Sequence, residues 1–230
     1  MRKLIQVALM AAVWAATPAI GKEASWIEKS NEHAQVVLDV LASFSPEGAG
    51  SMGVDGLDEQ VLDLGPGIQE RSNAESEKVL AELQRRLKTE TDAKVRQDIG
   101  ILIKAVEDSI RSSRLNYDTL LPYYNVSQTV FYGVRGLIDP QIPRERYPAA
   151  VTRIEKYAGL AEGYSPLTEL AKDRTRERLE TEGLVGPYRG EVEQDLERAE
   201  TFVTGIEELL SGTDLEGWEE SYSALAAQLR

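Results

Sequence analysis

"EVEQDLERAETFVTGIEELLSG", residues 191–212, decides the fold class of this chain. Val192, Leu196, Ala199, Val203, Ile206 and Leu210 recur at alternating spacings of four and three, which places them on one face of a helix. Gly212 supplies the stop. Strand-like alternation is hard to find anywhere else, and the same helical period returns on both sides. Downstream, Leu215, Trp218, Tyr222, Leu225 and Leu229 form a further stripe behind Asp214 as cap. Upstream, "SPLTELAKDRTRERLE" opens a helix with Ser165 as cap and Pro166 at the first helical position.

Farther back lies "PRERYPAAVTRIEKYAGL", a helix ending near Gly159 or Gly163. Before it, "LLPYYNVSQTVFYGVRGLIDP" (120–140) is the densest aromatic stretch. Asn125 or Ser127 caps it, Val126, Val130, Val134 and Leu137 share a face, and Asp139-Pro140 stops it. Val95, Ile99, Leu102, Val106 and Ile110 mark a long amphipathic helix. A short polar turn joins it to a preceding helix capped at Ser72 or Asn73, with Val79, Leu80, Leu83 and Leu87 as its stripe. The first helix runs from about Ser25 to Phe44, and residues 45–67, with six glycines and two prolines, read as a long irregular loop. The expectation is an all-α chain, a multi-helix array of antiparallel amphipathic helices. It is expected to be incomplete at the C-terminus, because the last stripe is still running at Arg230, and to leave Leu225 and Leu229 exposed.

Residues 1–21 differ in kind. Arg2 and Lys3 precede the 13-residue apolar run "LIQVALMAAVWAA", followed by Pro18, Ala19 and Gly21. That is the plan of a secretory signal peptide cleaved between Gly21 and Lys22, and the run is short for a membrane span. The expected mature region, 22–230, has no stable membrane span and is periplasmic or extracellular. Its charge is acidic: the whole chain carries a formal −13. A phosphate backbone is repelled by such a surface, so no nucleic-acid partner is expected. There is no cysteine, which excludes disulfides and thiolate chemistry.

His33 is the only histidine, and it reads as an ordinary helix residue. A catalytic zinc takes about three protein ligands, typically rich in histidine. One histidine cannot build such a site, so no catalytic, cofactor-binding or metal residue is assigned. Glu193 and Glu197 share a helical face, which reads as solvated, since the di-metal bundles that use such pairs also need Glu-x-x-His. Among the aromatics of 120–140, most read as packing residues. Tyr123, Tyr124 and Tyr132 have hydroxyls that need partners if buried, and are the candidates for facing a channel.

Several stretches, in order, resemble one bacterial family, domain of unknown function 885. "SPEGAGSMGVDGLDEQVLDL" (45–64) fits its Ser-Pro-x-x-Ala-x-x-x-Gly-x-x-Gly-x-Asp pattern at Pro46, Ala49, Gly53, Gly56 and Asp58, with Asp63 beyond, and Leu57 stands where an aromatic is frequent. Residues 114–159, 163–178 and 183–210 continue in register. The resemblance implies an exported, all-helical protein more than twice this length. Its C-terminal half carries His-Glu-x-x-Pro-Gly-His, similar to the zinc-binding helix of gluzincin peptidases, and this chain has no such motif. What the resemblance implies is therefore the N-terminal, substrate-channel-forming part of a secreted zinc-dependent peptidase or carboxypeptidase-like hydrolase, inactive alone. Zinc belongs to the full-length family, the missing C-terminal half is the partner, and a peptide is the parent's substrate. The alternatives are a stand-alone exported helical binding module that uses 45–67 as its contact surface, and a purely structural helical array. N-terminal sequencing of exported material should begin near Lys22; finding Met1 there would refute the signal-peptide reading.

Overall fold

The structure, a computed structural model, describes residues 25–230. The signal peptide expected from the sequence, with its Gly21–Lys22 junction, lies outside the described residues. Nine α-helices and no strand occur among them, so the chain is all-α: α1 (Trp26–Phe44), α2 (Pro46–Ser51), α3 (Ile68–Thr89), α4 (Ala93–Thr119), α5 (Val126–Arg135), α6 (Pro148–Tyr157), α7 (Leu167–Leu179), α8 (Arg189–Ser211) and α9 (Glu219–Leu229). A single turn of 3-10 helix, Arg144–Arg146, leads into α6. None of these helices is long and apolar enough to cross a membrane.

Local chemistry explains most helix starts. Ser25 and Glu28 form a reciprocal capping box on α1. Asp92 accepts from the amides of Lys94 and Val95 at the start of α4, and Asn125 accepts from Gln128 at the start of α5. Three expected caps are corrected. α3 begins at Gly67, whose left-handed φ of +65° turns the chain into the helix, so Ser72 and Asn73 lie within it. α7 begins after Pro166, and Ser165 makes no capping bond. α9 begins after Trp218, leaving Asp214 outside it on an exposed turn.

Burial gathers into two apolar clusters. Leu83, Val95, Ile99, Val106 and Ile110 of α3 and α4 form one, with Val36 and Val37 of α1 packed against it. Polar ties run beside it: Tyr117 donates to Glu70, Ser113 to Asn73, and Arg114 pairs with Glu77. The larger cluster joins α5, α6, α7, α8 and α9 through Val130, Val134, Ile154, Tyr157, Leu167, Ile206 and Leu225. Each such side chain contributes roughly 1.5–3 kcal/mol by leaving water. The expectation that Leu225 would be exposed is wrong: it is fully buried, because α9 folds back onto α6 and α8. Leu229 is partly buried against the same cluster. Two glycines permit the closest approaches. A Cβ at Gly133 would overlap the hydroxyl of Tyr157, and one at Gly205 would meet the Phe131 ring at 2.7 Å.

Residues 45–67 are not the irregular loop their composition suggests. They form the short helix α2 and then a strap that crosses the larger cluster, with Leu57 and Leu64 buried beneath it. Asp58 receives both Nε and Nη2 of Arg146 at 2.7 and 2.6 Å, and Asp63 receives Arg71. Those guanidinium hydrogen bonds hold both carboxyls below their usual range. Glu47 accepts from the Leu62 amide at 2.8 Å and from the hydroxyl of buried Tyr157 at 2.6 Å. Arg174 donates to the Leu64 carbonyl at 2.6 Å.

Arg153 of α6 is the centre of this arrangement. It is 3% exposed and donates to the carbonyls of Leu57 (3.0 Å), Gln60 (3.0 Å) and Gly133 (2.7 Å). Gly133 lies in the last turn of α5, where carbonyls run out of helical amides; the Leu137 amide goes to Val134 instead. Arg153→Met should leave the Gln60 and Gly133 carbonyls without a donor and lower stability by about 3 kcal/mol in urea unfolding. Arg153→Lys, whose ammonium lacks the planar fork, should lose a substantial part of that. Unchanged midpoints for both variants would show that the strap is held by something else.

Candidate functional site

The segment between α4 and α5 is held rigidly before the tyrosines begin. The Val185 amide donates to Thr119 O at 2.8 Å, and the Leu121 amide to Val185 O at 2.9 Å, closing a small bridge. Thr175 of α7 donates to Pro122 O at 2.8 Å. Arg178 lies 3.9 Å from the Tyr117 ring centre and donates to Tyr117 O. Pro122 then leads directly to Tyr123 and Tyr124.

Those two tyrosines line a groove of about 480 Å³ bounded by α7, α8 and the end of α9. Val192, Leu196 and Ala199 supply the α8 wall, and Ala171 and Leu229 extend the apolar surface. At its edge Lys172 pairs with Glu169 at 2.8 Å and Arg176 with Asp173 at 3.5 Å, and the Asp195 carboxylate also lines it. Tyr123 donates to Asp195 at 2.8 Å. Burial, then this bond and the negative charge, push the Tyr123 phenol up to about 12. Tyr124 is pushed up by burial and stands between this groove and a second cavity of about 450 Å³, set between α1, α3, α4 and the strap. Tyr132 does not line the groove; it is 53% exposed and rests edge-on against Phe131.

The α8 stripe read from the sequence divides here. Val203, Ile206 and Leu210 are fully buried, whereas Leu196 is 71% exposed beside the groove, and nearby Tyr188 is 77% exposed. Asp195, Thr168 and Gln228 also line the groove and were not singled out by their sequence. Asp195 carries the only available signal, a carboxylate adjoining Leu196 at the border of an apolar stripe. Nothing local marks Thr168 or Gln228.

The model of one family, bacterial protein of unknown function (DUF885), matches residues 46–230. The chain belongs to this family. No curated protein and no solved structure matches it. In this DUF885 chain the described residues do not fit a zinc ion. Among the described residues, no three histidine, aspartate or glutamate side chains gather as metal ligands do. His33 has Nδ1 3.1 Å from the Arg86 guanidinium, and burial followed by Arg86 lowers its pKa, an environment that disfavours a second cation. Glu193 is paired with Arg189 on an exposed face.

The raised Tyr123 phenol gives the DUF885 groove a measurable signature. A folded-state value above the unfolded one favours the protonated, folded chain between pH 10 and 12. This contribution is present below about pH 10 and is lost as pH rises through 12. In an absorbance titration, the tyrosine signal removed by Tyr123→Phe should ionise at about 12. Asp195→Asn should move that signal downward, and no movement would mean that the bond to Asp195 is absent in solution.

Proposed function

We propose that this chain is the N-terminal, substrate-channel-forming part of an exported zinc-dependent peptidase or carboxypeptidase-like hydrolase. The observation that carries this reading is the groove of Tyr123 and Tyr124 against α8. It is concave and walled largely by apolar side chains, with the Tyr123 hydroxyl held by the Asp195 carboxylate. Such a surface suits a polypeptide segment better than a phosphorylated or strongly charged ligand. Membership of the DUF885 family and the resemblance of its longer proteins to gluzincins supply the reaction class. The sequence supports export through Arg2, Lys3 and the apolar run behind them.

On this reading the chain contributes walls and orientation and no bond-breaking group. It has one histidine and no cysteine, and its histidine is occupied by Arg86. The zinc ligands and the glutamate that activates water would belong to a C-terminal half bearing His-Glu-x-x-Pro-Gly-His, and that half is the partner the reading requires. Exposed Leu196 and Tyr188 favour a partner that covers α8. They would equally serve a stand-alone exported binding module, the second reading.

The purified chain should bind capped, uncharged peptides, hold no stoichiometric zinc and turn nothing over. Ala199→Trp, which fills the groove from α8, should weaken peptide binding at least tenfold in calorimetry. Co-expression with a polypeptide carrying the His-Glu-x-x-Pro-Gly-His segment should yield chelator-sensitive peptidase activity. Zinc-dependent turnover by this chain alone would overturn the proposal, and peptide binding without turnover in the co-expressed complex would favour the binding module.

A further inference from the structure

Asp195 is the one charge in the groove of Tyr123 and Tyr124 that no opposite charge among the described residues matches. Lys172 and Arg176 line the same groove, and each has an acidic partner on its own helix, Glu169 at 2.8 Å and Asp173 at 3.5 Å. The bonded neighbour of Asp195 is neutral: the Tyr123 hydroxyl donates to its Oδ2 at 2.8 Å. Glu191, one turn earlier on α8, adds to the negative charge that acts on that phenol. A carboxylate set among apolar side chains is screened less than one in open water, so it attracts a cation more strongly than the other acidic groups of this surface do.

Tyr123 sharpens the preference. Its one proton is spent on Asp195, so the phenol offers a ligand only oxygen lone pairs. Tyr123 is 37% exposed and Asp195 is half-buried, so both are accessible from the groove. A ligand meeting this pair must bring donors. Beside it, Val192, Leu196 and Ala199 form an apolar wall at helical spacing. An aliphatic stem covers such a wall while a charged head reaches the carboxylate, which is how lysine and arginine lie on protein surfaces. The two differ in what they ask of the carboxylate. A guanidinium fork bonds best to both oxygens at once, and Oδ2 is already engaged by Tyr123. A compact ammonium needs only one.

We propose that Asp195 and Tyr123 bind the side-chain ammonium of a lysine in a peptide segment that lies along this groove. The ammonium donates to Asp195 Oδ1 and to the Tyr123 oxygen, and the four-carbon stem lies against Val192 and Leu196. The assignment rests on the channel-wall reading and adds a substrate class to it: a segment with a single lysine among small and apolar residues.

The test is calorimetry on the whole chain with a capped hexapeptide of alanine and leucine that carries one central lysine. Counterparts replace that lysine with acetyl-lysine or arginine, or keep the acetyl-lysine and free the N-terminal amine. The lysine peptide should bind at least tenfold more tightly than each counterpart. Asp195→Asn, whose amide oxygen still accepts from Tyr123, should abolish the difference between lysine and acetyl-lysine and leave acetyl-lysine binding unchanged. Glu197→Gln removes the same charge from an exposed position of α8 outside the groove and should leave the lysine preference intact. Equal binding of the lysine and acetyl-lysine peptides by the wild type would overturn the assignment and leave the channel-wall reading standing. A preference lost equally in Glu197→Gln would trace it to the net acidity of the chain and overturn the assignment as well. Arginine or a free N-terminus binding as tightly as lysine would overturn the choice of a lysine side chain. Failure of the wild type to bind any of the peptides would overturn both the assignment and the channel-wall reading.

Discussion

A guanidinium buried without a carboxylate bonded to it is the constraint on which the rest of this structure depends. Taking Arg153 out of water costs several kcal/mol, and no ion pair offsets that directly. Three carbonyls do so instead, two from the strap and one from the last turn of α5. The same three bonds therefore set where the strap lies, where α5 ends and how α6 faces both. Around them the other ties fall into place: Asp58 on Arg146, Glu47 on Tyr157, and Leu64 under Arg174. The strap in turn lays Leu64 onto the larger apolar cluster and buries Leu57.

The groove follows from this frame at one remove. α7 is held to the strap by Arg174 and to the Pro122 segment by Thr175. Tyr123 and Tyr124 are thereby fixed at one side of the opening, and α8 is fixed at the other by Val203, Ile206 and Leu210. Both walls are set by buried contacts away from the opening, so the groove does not depend on a flexible loop for its shape. The division of α8 into a buried second half and an open first half is what exposes Leu196 there.

Most helices were legible because the signals that specify them are local. The stripes of α4 and α8, the start of α1 near Ser25 and the Asn125 cap all lie within a few residues of what they control. The missed starts of α3, α7 and α9 show the limit of that reasoning. Ser72, Ser165 and Asp214 are competent caps, but the chain used Gly67, Pro166 and Trp218 because packing placed the first turn elsewhere. The strap was illegible for a different reason. Its glycines describe a loop locally, while its partners Arg146, Tyr157 and Arg174 lie 88 to 110 residues downstream. One clue was present. Arg153 falls on the apolar face of α6 with Ala149, Ala150, Ile154 and Tyr157, a position where a solvated arginine would not sit. Of the three tyrosines read as channel candidates, two meet at the groove and Tyr132 lies outside it. Asn125, Thr168 and Gln228, which also line it, are brought together by the fold from the cap of α5, from α7 and from α9.

The strap also imposes an order in time. It leaves the ribosome before α3 and α4, yet apart from α1, Glu47 of α2 and Arg71 everything that grips it is made after them. α3 and α4 can close their own cluster from neighbouring segments, with little loop entropy to overcome. The strap cannot be fastened until Arg146, Arg153 and Arg174 have been synthesised. Until then Leu57 and Leu64 have no place to go, and the nascent chain carries an unlatched apolar segment past a finished helical hairpin.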